Sequence, residues 1–402
     1  MDSEKVIKRD NAYVLHTYNR SPVVLEKGHG LYAEGPEGQK YLDFTSGIGV
    51  NSLGYCDLAW AEAVSDQAHK LQHTSNLYYT APCGKLAKKL CKRTGQSRVF
   101  FGNSGAEANE GAIKAARKYS VDHYGKDRTT VITLVNSFHG RTIATLTATG
   151  QEVFHNYFGP FNEGFLYAPA GDIEALQELV DRNTCAVMLE LIQGEGGVRP
   201  ASQEFLQGLR DLCDEKGILL MFDEVQVGSG RTGKLFAHQN YGVEPDTCSM
   251  AKALGSGVPI GAVCARGEAA KTLTPGTHGS TFAGGPLACA LAATTLDVMI
   301  NDGVIENSRK MGEYFRKQAH EIIEKNHPET VNEIRGLGLI DGIQLNKPSG
   351  QPVVDLCFKD SNVLINNTNG NVLRFVPPLI VNEEEIDIVI KAVDEAMTKL
   401  GW

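Results

Sequence analysis

The sequence predicts an α/β protein, with a mostly parallel sheet in a large domain and a smaller α+β domain after it. Through the middle of the chain, short β-branched or apolar runs alternate with segments of helical periodicity. Such alternation builds a parallel sheet covered by helices on both faces. From about residue 290 the texture changes to long amphipathic stretches and a hairpin candidate. The 402 residues are enough for both units. The expected division is an N-terminal segment, 1–50, that joins the small domain, a large domain over 51–290 and the small domain over 291–402.

The expected strands, in order, are "SRVFFGN" (97–103), "TTVITLV" (129–135), "CAVMLEL" (185–191), "GILLMFDE" (217–224) and "IGAVCA" (260–265). All are too apolar for the alternation of a half-exposed sheet, so they belong inside. "GAEANEGAIKAARKYS" and "SQEFLQGLRDLCDEKG" between them have helical spacing. Further on, Val304, Met311, Phe315 and Ile322 mark one face of a long helix, and "NVLINN" and "NVLRFV" flank "TNG" as a hairpin. In the closing helix, Asn382 and Glu385 have capping-box spacing.

Composition excludes several functions. A net charge of -9 argues against nucleic acid or an anionic membrane as the main partner, since both need clustered positive charge. No stretch reaches the roughly 18 consecutive apolar residues of a membrane span, and the first residues have no apolar core of a signal peptide. Nine scattered cysteines without a CxxC pair fit neither a disulfide framework nor a zinc site. The expectation is a cytoplasmic protein with buried thiols and no metal.

Four segments can carry chemistry. In "GILLMFDEVQVGSGRTG" an apolar strand runs straight into Asp223 and Glu224, the end of the strand at which open α/β sheets bind ligands. Two solvated loop acids are the plain alternative. Gly228, Gly230 and Gly233 spell GxGxxG, but "DEVQ" intervenes after the strand and Gly242 and Pro245 interrupt the segment behind the glycines, unlike a dinucleotide-binding turn. "FFGNSGAEANEG" passes from a strand through Ser104 into a helix whose first N–H groups could hold a phosphate; Ser104 could equally be an ordinary N-cap. "SFHGRT" sets Phe138, His139 and Arg141 after another strand: a platform for a flat ring, or core packing, and a two-pronged carboxylate grip. In "SMAKALGSGVPIGA", finally, Lys252 stands among small and apolar residues, where desolvation disfavours the ammonium.

A phosphate site, an aromatic platform, an acid at a strand end and a desolvated lysine together suit pyridoxal 5'-phosphate. The motifs "NSGAEANEGAIKAARKY", "SFHGRT", "DEVQVGSGRTG", "MAKALGSGVPIGA" and "HGSTFAGGPLACA", spread over most of the chain, resemble the class III pyridoxal-phosphate aminotransferases of fold type I. "HTSNLYYT" resembles the branch acting on acetylornithine. The resemblance implies that Lys252 is joined to the cofactor, that Asp223 faces its pyridine nitrogen, and that Val225 and Phe138 sandwich the ring. Gln226 would approach the ring hydroxyl. Ser104, Gly105 and Ala106 would hold the phosphate, with Ser280 and Thr281 arriving from the other subunit of a homodimer. Arg141 and Arg374 would bind substrate carboxylates, and Glu195 would pair with Arg374 when that arginine is not needed. The implied reaction moves the side-chain amino group of an N-acylated ornithine to 2-oxoglutarate. Ornithine, succinylornithine, 4-aminobutyrate and N-succinyldiaminopimelate remain as other donors, and a nicotinamide-dependent oxidoreductase or a non-catalytic binding protein remain as distant alternatives.

Overall fold

A seven-stranded sheet forms the centre of the molecule. The computed structural model describes residues 2–402. The central strands are β1 (Arg98–Gly102), β2 (Thr130–Leu134), β3 (Phe165–Ala168), β4 (Thr184–Glu190), β5 (Leu219–Asp223), β6 (Thr247–Met250) and β7 (Gly261–Ala265). Their order across the sheet is β1-β7-β6-β5-β4-β2-β3. β2, β3, β4, β5 and β6 run parallel, whereas β7 is antiparallel to both β6 and β1. The reason is length: only residues 251–260 separate β6 from β7, too few for the helical crossover that returns a chain to a parallel strand.

Both faces of the sheet are covered, which explains why its strands are apolar throughout. Alternate side chains point to opposite faces. Ile132, Leu134, Val187, Leu189, Leu220 and Phe222 pack with Phe205, Leu206 and Leu209 of the helix Gln203–Lys216. Their neighbours Val131, Ala186, Met188, Leu219 and Met221 pack with Ala112, Ile113 and Ala116 of the helix Gly105–Tyr124. All seven residues of β4 are buried.

A second sheet, Val331–Leu337, Ile340–Leu345, Val372–Phe375 and Asn366–Thr368 in that spatial order, is antiparallel. It shares one apolar cluster with the closing helix Glu383–Lys399 and with Leu31, Leu42, Phe44 and Leu53 from the N-terminal region. Asn382 and Glu385 cap that helix reciprocally, as their spacing predicts. The expected hairpin is shorter than "NVLINN" allows. Asn366–Thr368 pairs with Val372–Phe375, while Val363–Leu364 leaves to pair in parallel with Lys40–Asp43.

The glycines of the GxGxxG stretch lie in a run of turns followed by a short 3-10 helix at Ala237–Asn240, with no long helix behind them. Asp246, which stands near the offset expected of a ribose-binding acid behind such glycines, binds Leu220 N–H and Arg210. Among the described residues, no single helix is long and apolar enough to cross a membrane.

Candidate active site

The carboxyl ends of β1, β2, β4, β5 and β6 and the start of the reversed β7 all meet at one edge of the sheet. A cavity of about 360 Å³ opens there. Asn103, Ser104, Gly105 and Ala106 follow β1, Phe138 and His139 follow β2, Glu190 ends β4 and Glu195 follows it, Asp223 ends β5 and Val225 and Gln226 follow it, and Lys252 follows β6.

Asp223 and Glu224 separate into two roles. Asp223 is 3% exposed and faces the cavity. Its Oδ2 accepts hydrogen bonds from Asn109 Nδ2 (2.7 Å) and His139 Nδ1 (2.8 Å), and its Oδ1 accepts from Val225 N–H (3.0 Å). Glu224 points away, accepting from the N–H groups of Ala237 and His238 and from the His238 ring. Glu224, His238 and Cys248 stand close enough to surround an ion. Both Glu224 oxygens, however, are already engaged as structural acceptors.

Lys252 begins a short 3-10 turn with φ of 46°. Burial pulls its amine below the ordinary lysine range, and the Glu195 carboxylate offsets part of that shift. The glycines around it serve close approach: a Cβ at Gly261 would lie 2.1 Å from Ser104 O. The lysine loop and the turn ahead of the helix Gly105–Tyr124 are thereby pressed together.

Ser104 is the N-cap of that helix, its hydroxyl accepting from Glu107 N–H. The N–H groups of Gly105 and Ala106 have no partner along the helix and border the cavity at the positive end of the helix dipole. A Cβ at Gly105 would come 2.7 Å from Val225 Cγ1, so this wall has no room for a side chain.

Behind the cavity wall, Arg374 is 1% exposed and pairs at 2.6 Å with Oε1 of Glu195, which lines the cavity. Burial alone would raise the Glu195 carboxyl, but the guanidinium overrides it and leaves the acid below the usual range. Gln226 Nε2 reaches the same oxygen at 3.4 Å, and Gln226 Oε1 is buried without a partner.

Four predicted residues lie outside the cavity wall: Arg374, which stands behind Glu195, and Arg141, Ser280 and Thr281. Arg141 is exposed, 4.0 Å over the Phe154 ring and 5.5 Å over Phe138. Ser280 and Thr281 line a separate shallow depression with Ser75, Asn76 and Leu77. Ser280 Oγ nonetheless accepts from Asn103 Nδ2 at 3.0 Å, one residue removed from the cavity.

Sequence reading missed Glu190 and Asn109. Glu190 is 8% exposed, and burial, with Asp223 adding, pushes its carboxyl well above the usual range. Its signal was an acid closing an apolar run. Asn109 holds Asp223 and is itself held by Ser249 Oγ through its amide oxygen (2.5 Å). The signal there was one amide on a helix face made of alanine, glycine and isoleucine.

This donor set fits pyridoxal phosphate: a desolvated amine, a buried acid at a strand end, a helix start shaped for a phosphate, an aromatic and a β-branched wall, and an orphaned amide oxygen. Residues 13–397 match the family model described as Aminotransferase class-III. The chain belongs to that family of pyridoxal-phosphate-dependent transaminases, whose substrates are amino acids and keto acids. The acetylornithine aminotransferase of Caldanaerobacter subterraneus subsp. tengcongensis is 49% identical over 397 residues, covering 99% of this chain and 100% of that one. The acetylornithine aminotransferase of Methanocaldococcus jannaschii is 48% identical over 404 residues, covering 100% of both. Among solved structures, the ornithine aminotransferase of Toxoplasma gondii ME49 superposes with a TM-score of 0.95 at 34% identity, over 100% of this chain and 96% of that one. The acetylornithine aminotransferase of Elizabethkingia anophelis gives 0.88 at 34% identity, over 99% and 100%.

Proposed function

We propose that the chain moves the side-chain amino group of N2-acetylornithine to 2-oxoglutarate, giving N-acetylglutamate 5-semialdehyde and glutamate, as a step of arginine biosynthesis in the cytoplasm. The observation that carries the reading is the Glu195–Arg374 pair beside Lys252. A side-chain amine enters with its α-carboxylate far from the lysine, and an unpaired arginine nearby would draw α-amino acids in backwards. Glu195 neutralises Arg374 for that donor and swings aside when 2-oxoglutarate presents a carboxylate close to the lysine.

Pyridoxal phosphate, when bound, supplies a carbonyl that exchanges for the amino group and a ring that takes up the electron pair left when a proton leaves carbon. The chain does the rest. Lys252 Nζ, favoured as a free amine by its burial, takes that proton and returns it. Asp223, fixed by Asn109, His139 and Val225 N–H, would face the ring nitrogen. Phe138 and Val225 would bound the ring, Gln226 would approach the ring hydroxyl, and Ser104, Gly105 and Ala106 would hold the phosphate. Arg141, stacked on Phe154, is the grip for the distal carboxylate.

We read the molecule as a homodimer in which Ser280 and Thr281 complete the partner's phosphate site. Support comes from exposed Leu77, Tyr78 and Phe282 (83%, 70% and 65%) around that depression. Nine unpaired cysteines agree with a reducing compartment. The shared apolar cluster supports grouping 1–50 with 291–402 around a large domain, 51–290.

The test is a donor panel with the holoenzyme: N2-acetylornithine, N-succinylornithine, N-succinyldiaminopimelate, ornithine and 4-aminobutyrate, each followed by loss of the cofactor's visible absorbance, then glutamate formation on adding 2-oxoglutarate. The acetylated donor should have the highest kcat/KM. A preference for free ornithine would overturn the assignment.

A further inference from the structure

Glu190 has no part in that transamination scheme, yet it sits in the cavity wall and ties two of its parts together. It ends β4 directly opposite Asp223 on β5, its register partner. Oε2 accepts the N–H of Phe138 at 2.9 Å and Oε1 accepts the N–H of Gly194 at 3.3 Å. Phe138 is the aromatic wall, and Gly194 precedes Glu195, whose side chain meets Arg374. We propose that Glu190 is a positioning residue, acting through Phe138 and the Gly194–Glu195 loop. It sets where the ring platform stands relative to the carboxylate gate, and thereby which end of an amino acid the site accepts. This role rests on the chain being a transaminase of side-chain amines.

The chemistry of the carboxyl supports the role. Without it, two backbone N–H groups in a buried wall would lack acceptors, a costly arrangement that a rearranged loop would relieve. Burial, reinforced by Asp223 on the adjacent strand, favours the neutral acid, and Glu195 adds to the same effect. A neutral carboxyl accepts best through its carbonyl oxygen and more weakly through its hydroxyl oxygen. Oε2 holds the Phe138 N–H more closely than Oε1 holds the Gly194 N–H. Glutamine at this position would keep the first bond and turn an NH2 group against the Gly194 N–H. The platform would stay and the gate would loosen. Alanine would release both.

The experiment compares wild-type, Glu190→Gln and Glu190→Ala holoenzymes by visible circular dichroism of the bound cofactor and by the ratio of kcat/KM for N2-acetylornithine to that for glutamate. Glu190→Gln should leave the dichroic band unchanged and shift the ratio about tenfold toward glutamate, the size of losing one buried hydrogen bond. Glu190→Ala should alter the band as well as the ratio. If Glu190→Ala does not fold, Glu190→Asp, one methylene short of spanning both N–H groups, takes its place with the same expectation. A lowered Tm with band and ratio both unchanged would overturn the proposal, and so would a band altered equally in Glu190→Gln. Failure of the wild type to use N2-acetylornithine would instead overturn the substrate reading, and the dichroic band would still decide whether Glu190 holds the platform.

Discussion

Replacing Asp223 by asparagine removes one charge and leaves the side-chain shape. The carboxylate is 3% exposed and takes three hydrogen bonds, two at Oδ2 and one at Oδ1. An asparagine can keep its oxygen toward Asn109 and His139, but its NH2 then faces the Val225 N–H, and nothing charged remains for a ring nitrogen. Removing one partner of a buried charged pair costs about 3–5 kcal/mol. At about 1.36 kcal/mol per decade of rate, that is roughly two to four decades in proton removal if the loss falls on the transition state. Asn109→Ala removes one hydrogen bond to the charge, about 1.5–3 kcal/mol, or roughly one to two decades at most. The assay is single-turnover loss of the cofactor's absorbance on mixing with donor, using variants matched for cofactor content and a donor deuterated at the reacting carbon. Proton removal should be slowed most in Asp223→Asn, and its isotope effect should rise. A rate within about tenfold of wild type with an unchanged isotope effect, or a smaller loss than in Asn109→Ala, would refute this role for Asp223.

Three further outcomes rest on the same geometry. The Lys252 amine lies below its ordinary value of 10.5 in the folded protein, so the unfolded chain binds the proton more readily and the stability deficit is full below the folded pKa, disappearing as pH rises toward 10.5. The Lys252→Met apoenzyme should therefore melt above the wild-type apoenzyme at neutral pH by a margin that shrinks with rising pH, and a pH-independent margin would count against this. Gly105→Ala puts a Cβ 2.7 Å from Val225 Cγ1; cofactor titration should show affinity about tenfold weaker or worse, and unchanged affinity would mean the wall yields freely. Mixing inactive Lys252→Ala subunits with an inactive Ser280→Ala, Thr281→Ala double variant should restore part of the activity if the phosphate site is shared, whereas no recovery despite demonstrated subunit exchange would remove those residues from the partner's site.

What could be read from the sequence depended on whether a residue's neighbours in the chain are also its neighbours in space. Asp223 was visible because it ends a buried apolar strand, and Lys252 because its neighbours in the chain are small and apolar; the fold then brings the two to one edge. β7 was visible as a strand, but its direction was set by the short link after β6, which hydrophobicity does not record. β6 reads Thr-Cys-Ser-Met, too short and too mixed in polarity to stand out, and its hydroxyl residues are buried only because both faces of the sheet are covered. β3 lies at the sheet edge with two of its four residues exposed. "NVLINN" looked like one strand, yet it divides between two sheets, a tertiary choice. Glu190 was hidden by its own run, because "CAVMLEL" read through to Leu191 as a single apolar strand.

The charges of the cavity arise from the same placement. Glu190, Glu195, Asp223 and Lys252 crowd one strand-end edge, with the His139 ring on Asp223 and Arg374 behind Glu195. Burial makes unpaired charge expensive, so each must be paired, neutral or used. Arg374 and Glu195 cancel at 2.6 Å. Burial and Asp223 favour the neutral form of Glu190, and burial favours the neutral form of Lys252. Asp223 is left, with three donors aimed at it and none a permanent cation. A cationic ring nitrogen is the partner that this surplus suits. On the proposed function, Glu195 moving aside would open the Arg374 charge to an incoming carboxylate, so the two half-reactions would differ in whether Arg374 is paired with Glu195 or with substrate.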